Sequence, residues 1–135
     1  MPANSINIID ATSHPDDSTV EVIYGTEYKG DGFYGRTDGM HTVQVSLAGF
    51  KGKIELQGTL ETNPTQGDWA TIELGTGVQS VDTTGLIAEE NITTIQYDTD
   101  TTNNKTYNFV GNFVWVRAFI YNWTKGTINY IKLNH

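Results

Sequence analysis

The chain contains no cysteine among its 135 residues, which excludes disulfides and thiolate metal sites. Cations are scarce: 8 Lys and Arg stand against 16 Asp and Glu, for a formal net charge of -8. Such a surface repels a phosphate backbone, so nucleic acid is not an expected partner. No apolar run approaches the roughly 20 residues of a membrane-spanning helix, and no membrane association is expected. Residues 1–5, Met-Pro-Ala-Asn-Ser, lack a basic and then apolar signal region, so export by a classical signal is not expected. Ala, Leu and Lys, which favour helices, are also sparse.

What is abundant points to strands. Thr and Gly are frequent, and Tyr, Val and Ile are common. His41 to Leu47 alternates strictly, with His41, Val43, Val45 and Leu47 on one side and Thr42, Gln44 and Ser46 on the other. Further strands are expected at 6–9, 20–24, 53–60, 69–74, 78–81, 93–97, 106–110, 113–123 and 127–133. Gly49-Phe50-Lys51-Gly52 reads as a hairpin connection, Asn63–Asp68 as a turn and Asp98–Asn104 as a polar loop. The one helical candidate, Gly85–Asn91, is too short to anchor a layer. Turn signals about every 8–12 residues are the signature of a sandwich or barrel. The expectation is an all-β chain: one antiparallel β-sandwich domain over residues 1–135, Greek-key or jelly-roll-like. A chain of this length buries about two-thirds of its unfolded surface, enough for a core without staples.

Residues 113–123, Phe-Val-Trp-Val-Arg-Ala-Phe-Ile-Tyr-Asn-Trp, break the usual alternation. One face carries Phe113, Trp115, Arg117, Phe119, Tyr121 and Trp123; the other carries Val114, Val116, Ala118, Ile120 and Asn122. A strand with one solvated face alternates apolar and polar, so both sides of this one call for cover. Three readings of Phe113, Trp115, Phe119, Tyr121 and Trp123 stand: domain core, subunit interface, or a platform for sugar rings. Cover by protein is favoured over sugar. Arg117 lies between aromatic residues at i±2 and can stack on ring faces. Glu55 sits mid-strand in the expected neighbour, and a Glu55–Arg117 ion pair is expected as a structural pin.

Two blocks carry a resemblance. The first runs from Gly30-Asp31-Gly32-Phe33-Tyr34-Gly35 through Thr37-Asp38-Gly39-Met40-His41 to Glu55-Leu56-Gln57-Gly58-Thr59-Leu60 and Asp68-Trp69. The second holds Phe109-Val110-Gly111-Asn112-Phe113-Val114-Trp115-Val116-Arg117-Ala118, then Gly126-Thr127-Ile128 and Asn134-His135. Together they resemble small virion-associated structural proteins of marine T4-like phages, the cyanophage type. The resemblance implies a β-sandwich with a place in the particle, assembled in the host cytoplasm, and implies no catalytic residues.

Chemistry finds little support. There is no Gly-x-Ser-x-Gly elbow and no cysteine nucleophile. Sixteen carboxylates always allow some pair at glycosidase spacing. His14, His41 and His135 lie far apart in sequence and lack a two-histidine helix spacing, which argues against zinc. Asp98 and Asp100, with Asn103 and Asn104, form a weak calcium candidate that lacks the Gly and downstream Glu of an EF-hand. No cofactor is expected. The expected function is a non-catalytic virion component acting through protein–protein contacts with other virion proteins or with further copies of itself. The alternative is a glycan-binding module.

Overall fold

The computed structural model describes residues 5–36, 38–81, 83–85 and 87–135, and only the backbone of 78–81 and 87–89. Ten strands follow in order: β1 (Ser5–Ile9), β2 (Thr12–Ser13), β3 (Glu21–Tyr24), β4 (Tyr28–Lys29), β5 (Met40–Thr59), β6 (Ala70–Thr71), β7 (Leu74–Val81), β8 (Ile87–Ile92), β9 (Ile95–Val110) and β10 (Trp115–Asn134). One 3-10 turn, Gln66–Asp68, precedes β6. All the strand pairings are antiparallel. The all-β reading of the sequence therefore holds.

The strands join in a single sheet of order β1-β10-β5-β9-β7-β8; β2, β3 and β4 add to the free side of β10, and β6 adds to β5. Three of its strands are long, and all three change register at the same level. On β5 and β10 the shifts fall between Tyr121, Lys125 and Thr127; on β5 and β9 they fall between Leu47, Phe50 and Gly52. Bulges of this kind bend a strand while keeping it in the sheet. The bend explains the burial pattern of β5. His41, Val43, Val45 and Leu47 are buried at odd positions, then Phe50, Ile54 and Leu56 at even ones. The extra residue at the bulge, with Gly49 at φ 62, returns the same face to the interior.

Gly126 shows why the corner needs glycine. Its φ is 95, and a Cβ there would lie 2.2 Å from the Gly49 carbonyl oxygen. The two bent strands touch backbone to backbone at this point.

One buried cluster takes side chains from both halves of the bent sheet. Ala118 faces Leu56 and Ile120 faces Ile54 in one half; Ile131 faces Val45 and Leu133 faces Val43 in the other. All eight are essentially inaccessible. Each large aliphatic side chain buried this way contributes about 1.5–3 kcal/mol.

Three local expectations are corrected. Residues 49–52 do not reverse the chain, because β5 runs through them as a bulged corner with partners on both sides. Residues 98–104 are the middle of β9 rather than a loop. Asp100 and Asn104 are exposed and bond across strands, Asn104 with Gln44 and Asp100 with Lys125. The expected helical piece at 85–91 is extended from Ile87 onward as β8, paired with β7.

Candidate functional site

The 113–123 segment resolves into an inner and an outer face. Val116, Ala118 and Ile120 are fully buried in the core. Trp115, Phe119 and Tyr121 occupy the outer face and are half-buried. Phe113, just before β10, packs against the end of the core. Trp123 belongs to neither pattern: it is only 1% exposed. Asn122, at φ 49, reverses the side-chain phase and turns Trp123 inward, where its indole N–H donates to the Lys125 carbonyl at 2.9 Å. Asn is among the few residues that accept the left-handed conformation readily.

The outer side chains form an ordered file. The Arg117 guanidinium lies 4.3 Å from the ring centre of Trp69 and 4.9 Å from that of Tyr24. Tyr24 stacks on Phe119 at 4.7 Å with planes 3° apart, and Phe119 on Tyr121 at 4.8 Å. Lys53 closes the file 5.7 Å over Tyr121. Phe119 thus stacks with two other rings, and this stacking is internal to the chain. A sugar platform needs open ring faces, which Phe119 and the buried Trp123 do not offer.

Arg117 stacks on ring faces, but its partners differ from those the sequence suggests. Its Nε donates to Gln57 Oε1 at 2.8 Å and its NH1 to Gln66 Oε1 at 3.1 Å. The expected pair with Glu55 does not form, because the register sets Arg117 opposite Gln57 and Glu55 opposite Phe119. Glu55 instead accepts hydrogen bonds from Tyr121, Thr71 and Thr94. The rings on Arg117 also differ from those expected: Trp69 comes from the segment after the 3-10 turn and Tyr24 from β3, whereas Trp115 and Phe119 flank it on its own strand. Burial lowers the Arg117 pKa from its ordinary value.

Beside this file lies an apolar edge. β3 pairs with β10 and with no other strand among the described residues. Val20, just before it, and Val22 and Tyr24 on it alternate and are 58%, 52% and 52% exposed. An edge strand showing a row of large apolar side chains is a site for further contacts. The alternation at 20–24 was visible in the sequence. Its outward direction was not, since it depends on which face of β10 meets the core.

A second assembly lies at the opposite end of the first half of β10. Gly30 and Gly32 donate backbone N–H groups to the carbonyls of Val114 and Phe113, both at 2.9 Å. A Cβ on Gly32 would sit 2.0 Å from the Asn112 carbonyl oxygen, so glycine alone permits this approach. Asp31, held between them, is 1% exposed. Its Oδ1 lies 2.6 Å from His135 Nδ1 and 3.5 Å from Arg36 NH1. His41, also 1% exposed, meets the Asp31 backbone N–H through Nε2 at 3.4 Å and the Gly39 carbonyl through Nδ1 at 2.8 Å. Nε2 therefore accepts and Nδ1 donates. The rings of Phe109, His41 and His135 stack in sequence, at 4.5 Å and 5.2 Å.

Burial pushes the Asp31 carboxyl up, but the hydrogen bond from His135 and the charge of the neighbouring imidazoles help to outweigh it and leave the pKa below the ordinary value. Burial lowers the His41 pKa, in keeping with a neutral ring. His135 also lines a cavity of about 480 Å³ with Glu27, Tyr34, Arg36 and Trp115. The wide sequence separation of His41 and His135 is closed by the sheet, since the β5 and β10 ends lie in register at Thr42 and Asn134. His14 is elsewhere, edge-on to Trp123. Asp98 and Asp100 do not form a loop with Asn103 and Asn104: Asp98 accepts from Gln96 and Asp100 is bound to Lys125.

No model of a known protein family matches the chain, and no curated protein matches it in sequence. The fold does have a likeness among solved structures. The crystal structure of the SPBc2 prophage-derived protein YomS superimposes with a TM-score of 0.56 over 98% of this chain and 90% of that one, at 14% identity. At that identity the likeness is one of fold.

Proposed function

We propose that the chain is a non-catalytic structural or accessory component of a tailed-phage particle, assembled in the host cytoplasm and working through protein–protein contacts. The observation that carries this reading is the outward row of Val20, Val22 and Tyr24 at and just before β3, a strand that pairs only with β10 among the described residues. Rows of this kind are costly in a free monomer and useful in an assembly. The stacked file behind it makes the surface rigid: Tyr24 is fixed between Arg117 and Phe119. A pre-ordered aromatic surface loses little side-chain entropy on docking.

Two further observations lend support. The fold is shared with a prophage-derived protein, and the 30–74 and 107–135 blocks resemble phage virion proteins. The occupant of the face is another virion protein or a second copy of this chain. A glycan finds fewer free rings here than the sequence led one to expect, since Phe119 stacks with two other rings of the chain and Trp123 is buried.

The reading is tested on particles of a phage that carries this sequence. Gradient-purified particles are digested and analysed by mass spectrometry with the soluble lysate as reference. The chain is expected to band with the particles in fixed copy number. Recovery in the soluble fraction alone would overturn the reading.

A further inference from the structure

We propose that Asp31, His41 and His135 form a binding site for one divalent transition-metal ion, with zinc as the first candidate. One donor atom from each lies within 4.8 Å of the others, and both Asp31 and His41 are buried. Four features of these side chains suit such an ion.

The first is the state of His41. Its Nδ1–H is committed to the Gly39 carbonyl at 2.8 Å, so the lone pair on Nε2 faces Asp31. That lone pair has only a long contact of 3.4 Å from a backbone N–H. A ligating histidine commonly donates its other N–H to a backbone carbonyl, which fixes the tautomer and orients the ring. The second is the spacing of the rings. Two imidazoles on one tetrahedral zinc, each with Zn–N of about 2.0–2.1 Å, place their centroids roughly 5 Å apart. The His41 and His135 centroids are 5.2 Å apart with planes 28° apart, so the separation already matches and the rings need only turn for both lone pairs to meet on the ion.

The third is chemical. Two imidazoles and a carboxylate suit zinc and its neighbours in the first transition row, and do not suit calcium or magnesium, which prefer oxygen ligands. The fourth is access. Three protein donors leave one position of a four-coordinate ion for water, and His135 borders the 480 Å³ cavity.

Arg36 is the competitor. Its NH1 lies 3.5 Å from Asp31 Oδ1 and 3.4 Å from His135 Nδ1, so it supplies the positive charge that an ion would otherwise bring. Its side chain is 44% exposed and can swing outward when an ion enters. The bound ion would tie the Gly30–Gly35 loop and the start of β5 to the end of β10. This site stands apart from the docking role of the outer face and does not depend on it.

The test uses the full chain, purified with chelator and dialysed free of it. Zinc is titrated by calorimetry, and cobalt is added to a parallel sample as a visible-absorption probe. One equivalent is expected to bind, with the d–d bands of a four-coordinate nitrogen and oxygen site. His135→Ala and His41→Gln should each weaken binding beyond the roughly 10–100-fold that loss of an outer-shell partner costs. Arg36→Gln keeps all three donors and removes the competing cation, so it should bind more tightly. Circular dichroism checks that each variant is folded. If the folded wild-type chain shows no saturable binding of either ion, the site does not exist. Unchanged binding in folded His135→Ala, or weaker binding in Arg36→Gln, would equally overturn it.

Discussion

Arg117 lies over Trp69, its guanidinium carbon 4.3 Å from the ring centre, and its hydrogen bonds end on two neutral glutamines, Gln57 and Gln66. Among the described residues this buried cation makes no ion pair and is held by stacking and by amide oxygens. Removing the side chain loses these and opens a gap between β10 and the segment carrying Trp69. Arg117→Ala is expected to destabilise the chain by about 2–4 kcal/mol, measured by urea unfolding. Arg117→Lys should recover little, because an ammonium lacks the flat fork. A double-mutant cycle should give clear coupling of Arg117 with Gln57 and near-zero coupling with Glu55. Strong Glu55 coupling would restore the ion pair that the sequence suggests.

The corner of the sheet rests on two backbone conformations. Asn122 at φ 49 and Gly126 at φ 95 together turn Trp123 inward and let the strands touch. Asn122→Gly should therefore leave stability nearly unchanged, whereas Asn122→Val should cost about 1–2 kcal/mol. Trp123→Ala should cost about 3–5 kcal/mol as a core truncation. Trp115→Ala, on the outer face, should cost clearly less. Equal losses for the two tryptophans would mean that the two faces are not distinct.

Much of this architecture is legible in the residues. Strict alternation over His41–Leu47 and the valine row at 114–120 locate strands whose inner faces match the core. The aromatic row at 113–123 does flag an unusual surface. What could not be read is where strands continue. Gly49–Gly52 has the composition of a turn, yet the chain runs on, because β9 and β10 continue to pair with it. Asp98–Asn104 has loop composition because its side chains face water and neighbouring polar groups. The Asp31, His41 and His135 cluster had no local signal either: its members are separated in sequence and meet only through the pairing of β5 with β10.

Two phenols give the chain an alkaline limit. Burial raises the pKa of Tyr107, aided by its hydrogen bond with Tyr97. Burial, and then its hydrogen bond to Glu55, raises that of Tyr121. A phenol with a raised folded pKa contributes stability that is fully present below the unfolded value of about 10 and is lost as the pH climbs through the folded value. Unfolding free energy should therefore fall above about pH 10. The fall should be shallower in Tyr107→Phe and in Tyr121→Phe than in the parent chain. Identical slopes in urea titrations at several alkaline pH values would contradict the assignment.

Surface substitutions on the apolar edge separate docking from folding. Val20 and Val22 are more than half exposed, so Val20→Lys and Val22→Lys should each change stability by no more than about 0.5 kcal/mol. Assembly should be affected far more, since a charge placed in a docked apolar surface is costly. The expected outcome in a phage complementation assay is a folded, soluble variant that no longer enters particles. Normal incorporation of the double variant would remove Val20 and Val22 from the interface.

The claim that the β3–β10 outer face meets another protein is tested most directly by photocrosslinking in the assembled particle. A benzophenone side chain is placed at Val22, and in a control chain at Lys105, which is exposed on β9. Illumination should join the Val22 probe to a second polypeptide in high yield and leave the Lys105 probe unjoined. A Val22 probe that reacts only with water, or no more than the control, would contradict the account.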